Sequence, residues 1–338
     1  ELRRALGEAT DEGPQRQYLE DWHTIRDSRI WDFNALYWNA LGLWERHTGR
    51  EYEQALPGGE SDARNTAMAR ELITQLFQVW DRARANVHEH ADHVSGLVLD
   101  ARHPAKTLGF LKYKAFLIYI SNVYDNLPTD EIVRVGGQLF QVEARAFLPG
   151  DAAERIAANV NTTPDHLPPL VERLLDLGPE VLARAEPARF DEGVHAAVQF
   201  WYDVWGALQL EERYVPIEGL DMYEIAPGVG GELLRPLVEA NGDVRMHVSN
   251  GAAASFLESL SLLHPFGFLQ AHDLFVTSIR QYQTGFRGPG KYDGSVVNWV
   301  NGSLLTAIGK RRGFEVDVQS FSYRQGSNVL TLTARVQE

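Results

Sequence analysis

The stretch that most constrains this chain is Phe116 to Pro128, FLIYISNVYDNLP. Phe116 to Ile120 are apolar without alternation; Ser121 and Asn122 then interrupt them abruptly, with Asp125 and Asn126 close behind. A short continuous apolar run suits a strand buried on both faces, as in the middle of a parallel sheet. In open α/β sheets, ligands bind outside the carboxyl ends of the strands. Residues 121–128 are therefore where chemistry is expected, with an ordinary Asn/Asp turn as the alternative.

Bulk properties narrow the partners. A chain of 338 residues suits one large domain or two medium ones. The formal net charge of −14 disfavours a nucleic-acid backbone or an anionic membrane surface, since both need a basic patch. Lys310, Arg311 and Arg312 form only a small one. There is no cysteine, which excludes disulfides and thiolate metal sites. No apolar run approaches the roughly 20 residues that span a bilayer. The first residues, ELRRALGEATDEG, lack the apolar core of a signal peptide. The expectation is a soluble cytoplasmic protein.

Along the chain, residues 1–80 read as helical. Trp22, Trp31, Tyr37, Trp38 and Trp44 recur at spacings near seven, as a core stripe on a helix would. His88, His90 and His93 invite a metal reading, but no acidic or third ligand is fixed by spacing, and a solvated helix end explains them as well. Residues 97–100 read as a second buried parallel strand ending in Asp100. Gly136-Gly137 sits between two alternating runs and predicts a hairpin turn. Residues 150–213 are helical and acidic, an insertion expected to cover the carboxyl edge of the sheet. YEIAPGVGG, residues 223–231, superficially resembles a nucleotide-cradling loop. No ribose-binding acid ends the following strand, so a structural turn is the better reading. Residues 252–263 and 296–311 read as helices, and 268–276, 313–321 and 328–336 as strands.

This order, and the pattern LHPFGFL before a strand followed by a GFEV strand and a closing antiparallel one, resembles class I S-adenosylmethionine-dependent methyltransferases. Three segments more narrowly resemble the MidA family of mitochondrial complex I assembly methyltransferases and their bacterial relatives. They are Ser121-Asn122-Val123-Tyr124-Asp125-Asn126-Leu127-Pro128, then His272-Asp273, then Gly288-Pro289-Gly290-Lys291-Tyr292-Asp293. Phe33-Asn34-Ala35-Leu36-Tyr37 is similar in style. The resemblance implies an α/β fold, a Rossmann-like methyltransferase sheet with N-terminal helices and a helical lid. Its divisions would be a helical region over 1–81, core over 82–149, lid over 150–222 and core again over 223–338.

The resemblance also implies a site. Asp100 and Ala101 would contact the adenine of S-adenosylmethionine, and Ser121 and Asn122 would lie beside its methionine end. Asn122 and Asp125 would align a nitrogen acceptor, such as a guanidinium, for in-line methyl transfer. Tyr124, Asn126, Asp273 and Asp293 would complete the acceptor pocket, with no metal. The acceptor would belong to a protein or a small molecule rather than to nucleic acid. The pattern departs in one place. The family's cofactor loop and ribose-binding acid belong before Leu97, yet residues 80–97 hold only part of one helix and no G-x-G. Either a segment is missing near Asp81-Arg82, in which case the helix there should break, or the loop has been lost. On the second alternative the chain is a non-catalytic binding or assembly protein on a degenerate methyltransferase scaffold.

Overall fold

The structure, a computed structural model, describes residues 16–55, 66–83, 97–239, 242–286, 288–323 and 328–337. In chain order the principal strands are β1 (Arg16–Tyr18), β2 (Ala115–Ser121), β3 (Glu131–Val135), β4 (Gln138–Pro149), β5 (Gln209–Pro216), β6 (Leu263–Asp273), β7 (Phe314–Ser320) and β8 (Leu330–Val336). The principal helices are α1 (Ile30–Asn39), α2 (Leu41–Thr48), α3 (Thr66–Ala83), α4 (Gly150–Asn159), α5 (Leu167–Ala185), α6 (Val194–Ala207), α7 (Asn250–Leu260) and α8 (Gly302–Arg311). The fold is mixed α/β, with parallel and antiparallel pairings. Two compact units interleave along the chain: residues 1–59, 130–217 and 289–297 form one, and 60–129, 218–288 and 298–338 the other.

The first unit is built on β4, whose buried and less buried residues alternate from Leu139 to Ala146 before Phe147 and Leu148 are both buried. One edge of β4 pairs in turn with β3, with a short strand at His23–Thr24 and with β1; the other pairs with β5. All four pairings are antiparallel. The β3–β4 turn falls on Gly136 and Gly137, both at positive φ (58° and 85°), which a Gly-Gly pair adopts without steric cost. Its main core joins Trp31, Phe33, Tyr37 and Trp44 from α1 and α2 to Trp201 and Trp205 of α6 and to the apolar side of α5. Trp31, Tyr37 and Trp44 of the aromatic stripe are thus core, whereas Trp38 is exposed and Trp22 is half-buried ahead of α1, where the chain contains short strands rather than helix.

The second unit holds a four-stranded sheet in the order β7-β8-β6-β2. β6 and β2 are parallel, and β8 is antiparallel to both of its neighbours. One face is apolar, with Leu269, Ala271, Leu332, Ala334 and Val316 buried, and it is covered by α7 and α8. A Cβ on Gly309 of α8 would lie 2.4 Å from Val316 Cγ2, so glycine is what lets this helix approach β7. On the other face, Met68 and Leu72 of α3 pack with Phe268, Phe321 and Val329.

Several expectations need correction. Residues 97–100 form no strand, and Leu97 and Val98 are 57% and 97% exposed. Among the described residues β2 pairs only with β6, so it is an edge strand, and every position in it is half-buried rather than buried on both faces. Apolar composition selected the strand but not its neighbours. α3 runs unbroken through Trp80, Asp81 and Arg82, so the expected break there is not found. Residues 296–311 are not one helix: α8 begins only at Gly302, where the Asn301 side chain accepts Leu304 N–H as an N-cap. His88, His90 and His93 lie outside the described residues. Among the described residues no helix is long and apolar enough to cross a membrane.

Candidate functional site

The strongest candidate lies in the second unit, where β2 and β6 end side by side. Asn122 follows β2 at φ 51°, a left-handed conformation that Asn tolerates better than most residues, and its N–H donates to His272 O (2.9 Å). That sharp exit folds Tyr124–Asn126 into one 3-10 turn against the end of β6. Asp273 closes β6 and is fully buried. Its Oδ2 accepts the Tyr124 N–H (2.8 Å) and the Asp125 N–H (3.3 Å), and its Oδ1 accepts the Leu274 N–H (2.8 Å). Asp125, 6% exposed, accepts Asn126 Nδ2–H at 2.7 Å and shares a side-chain hydrogen bond with Asp273.

Two carboxyl groups in one dry site cannot both ionise cheaply. Burial and then the Asp273 charge push Asp125 well above the usual carboxylate range. Burial raises Asp273 to about 6, with its backbone donors pulling the other way. The physical picture is one proton held between the two acids. Asp273, which accepts the N–H groups of Tyr124, Asp125 and Leu274, carries the charge, and Asp125 carries the proton. Tyr124 is buried beside them, its hydroxyl pushed up by burial and the Asp273 charge.

The loop after this turn is held as firmly. Gly251 N–H donates to Pro128 O (2.8 Å), and a Cβ on Gly251 would lie 2.9 Å from Leu127 Cβ. Ser249 N–H donates to Thr129 Oγ1 (2.7 Å), and Asn301 N–H donates to Ser249 Oγ (2.9 Å). Sequence reasoning did not single out Ser249, Gly251 or Asn301, although a Ser-Asn-Gly run opening a helix is a recognisable cap signal.

The predicted residues divide into those the fold gathers and those it does not. Ser121, Asn122, Tyr124, Asp125, Asn126 and Asp273 converge at the ends of β2 and β6. Ser121 Oγ is sealed from solvent and has no hydrogen-bond partner. Asp100 sits in an exposed turn, where Arg102 donates to it through its backbone N–H (2.9 Å), Nε and Nη2 (2.9 Å). The Arg102 bonds hold the Asp100 carboxyl below its ordinary range. Ala101 belongs to the same turn.

Asp293 belongs to the first unit and anchors its aromatic core. Its Oδ2 accepts Tyr37 Oη–H (2.9 Å) and Trp44 Nε1–H (3.1 Å), and its Oδ1 accepts Arg50 Nη2–H (2.6 Å). Trp205 Nε1–H donates to its carbonyl (2.8 Å). A Cβ on the next residue, Gly294, would lie 2.2 Å from the Tyr37 ring, so only glycine fits there. The carboxylate is thus occupied by the protein itself.

The YEIAPGVGG segment is a tight antiparallel hairpin, Glu224–Ala226 with Val229–Gly230. Gly228 is at φ 72°, and a Cβ on Gly231 would lie 2.4 Å from Leu220 O. Gly228 supplies the left-handed backbone of the turn and Gly231 the close approach to Leu220, as a structural turn requires.

No family model, curated protein or solved structure matches this chain. The reading therefore rests on the site itself. Asp100 and Ala101, the residues expected at the adenine, do not fit an adenosyl group. Asp100's oxygens are taken by Arg102, residues 97–100 supply no strand wall, and the one glycine cluster among the described residues that resembles a nucleotide loop is a packed hairpin. Among the described residues no group of acids and histidines is arranged to hold a metal ion.

Proposed function

We propose that this chain is a non-catalytic binding or assembly protein on a methyltransferase-like scaffold. The observation that carries this reading is the unbroken helix α3, Thr66–Ala83, followed by exposed coil at residues 97–100. The strands that would carry a cofactor's glycine loop and ribose-binding acid have no counterpart there among the described residues. On this reading the Asp125–Asp273 pair is an internal clamp. It fixes the exit from β2 by drawing backbone N–H groups onto one buried carboxylate.

A second reading, an S-adenosylmethionine-dependent transferase acting on a nitrogen such as that of arginine in a protein or small molecule, is favoured by two observations. The sheet order β7-β8-β6-β2, with one reversed strand between parallel ones, is the arrangement that the resemblance implies for its last four strands. An acid pair stands where parallel strands end.

Incubating the protein with a cell lysate and isotopically labelled methyl donor, followed by mass spectrometry, separates the two readings. The first predicts no methylated product beyond the protein-free control. A product that requires the protein, and that Asp125→Ala abolishes in a sample still folded by its melting curve, would replace the first reading with the second.

A further inference from the structure

β2 is an edge strand without the features that ordinarily protect an edge. Among the described residues it pairs on one side only, with β6. Asn122 N–H donates to His272 O (2.9 Å). In a parallel ladder, successive residues turn their backbone groups to alternate sides. Ile118 and Ile120 therefore face β6 with theirs, and Leu117 and Ser121 face the open side, where neither has a backbone partner among the described residues. Native sheets blunt an exposed edge with proline, charged side chains, bulges or a very short strand. β2, AFLIYIS, runs for seven residues with no proline and no charge, and the irregularity in its pairing lies in β6, between Leu263 and Phe268.

Charge at the entry to this edge is as one-sided as the pairing. The chain carries a net charge of −14, yet residues 101–124 contain no acid and hold Arg102, His103, Lys106, Lys112 and Lys114. Arg102 is spent on Asp100, and His103 lies against Glu258. Lys106, Lys112 and Lys114 are exposed and have no acidic partner among the described residues. Phe110 and Tyr113 stand between these lysines, 63% and 62% exposed. Tyr113 N–H and Lys114 N–H donate to Ser261 O (3.4 Å) and Leu262 O (3.0 Å), which ties this loop to the one that opens β6. There the His264 ring stacks on Phe116 (4.3 Å) and touches the exposed Phe266. An open ladder calls for a backbone rather than a headgroup or a phosphate, because only another polypeptide offers N–H and C=O groups at strand spacing. The unpaired lysines at its start call for acids at the matching end of that polypeptide.

We propose that the open edge of β2 takes up an extended polypeptide segment by strand addition, with acidic residues of that segment against Lys112 and Lys114. The added backbone continues the sheet beyond β2, and the exposed aromatic rings cover its acidic end. This deepens the reading of the chain as a binding or assembly protein and rests on it. The titration below uses no methyl donor, so its failure and the failure of that reading are told apart.

Two blocked peptides, TVTVTDED and DEDTVTVT, are titrated into the full chain by calorimetry. The first brings its acids to Lys112 and Lys114 when added antiparallel, the second when added parallel. At least one should bind, and the double variant Lys112→Glu, Lys114→Glu should weaken it about tenfold or more. Rising salt should weaken it further. Amide exchange at Leu117 and Ser121 should slow on binding, a readout that attraction to the lysines alone would not move. Leu117→Pro removes an N–H from the open side and should abolish binding; if its melting curve shows it unfolded, the exchange measurement and the lysine variants decide. No binding of either peptide at millimolar concentration overturns the proposal, as does binding without slowed exchange or binding that the lysine variants leave unchanged. Dimerisation of the chain that Leu117→Pro abolishes, with no peptide bound, assigns the edge to a second copy and overturns it too. Sedimentation with phosphatidylserine vesicles that the lysine variants abolish, again with no peptide bound, assigns the patch to a membrane surface and does the same.

Discussion

Replacing Asp125 with asparagine tests the shared proton directly. In the wild type, burial lifts Asp273 to about 6 and also raises Asp125 well above the usual carboxylate range, whereas an unfolded chain releases both protons near pH 3.9. The folded values are raised, so the native state binds protons that the unfolded state has lost. The contribution is fully present below about pH 4 and is lost as pH rises through 6. A rise of about two units corresponds to roughly 3 kcal/mol for the first ionisation. Asp125→Asn keeps the shape, keeps an oxygen for Asn126 Nδ2–H, and offers Asp273 a permanent N–H donor in place of the shared proton. Asp273 then ionises with support rather than repulsion.

Thermal unfolding of both proteins is followed between pH 4.5 and 7.5. The many other carboxylates contribute equally to both, so the difference between the two curves isolates the pair. About a third of that loss lies below pH 4.5, so the first ionisation alone should cost the wild type about 2 kcal/mol more than the variant over this range, or about 3–4 °C in melting temperature, and the raised Asp125 adds to it. The variant should equal or exceed wild type at pH 7.5. Parallel pH curves for the two proteins would refute the shared proton.

Other substitutions probe the anchors. Asp293→Ala strands the Tyr37 hydroxyl and the Trp44 indole N–H in the first unit's core; it should cost about 3 kcal/mol in chemical denaturation and red-shift the tryptophan emission. Gly294→Ala puts a methyl into the Tyr37 ring and should cost about 1–3 kcal/mol, or more if the ring has no room to turn. His272, neutral because burial lowers it to about 4, should show no imidazole titration above pH 5 by NMR; a midpoint near 6.5 would mean the pocket around it is wet.

Much of the fold was legible where a local rule sufficed. Gly136-Gly137 between alternating runs names a hairpin, and the chain builds it with both residues at positive φ. The β2 segment is a strand, and its polar ending marks the turn where Tyr124, Asp125 and Asp273 meet. What composition could not supply was neighbourhood. An apolar run reads the same whether it is central or, as here, an edge. The start of α8 is set by the Asn301 cap, while the apolar residues before it, which a helical pattern would also include, form short strands. The partners that hold Asp293, Tyr37, Trp44 and Arg50, lie more than 240 residues earlier, beyond any local pattern. Asp100 looked like a ligand contact only while a strand was expected to present it.

The central claim is that this scaffold lacks a cofactor site, and titration calorimetry of the full chain with S-adenosylhomocysteine tests it most directly. The account predicts no heat beyond dilution at concentrations where a functional site would saturate. A saturable isotherm with one site per chain, weakened by Asp100→Ala, would contradict it.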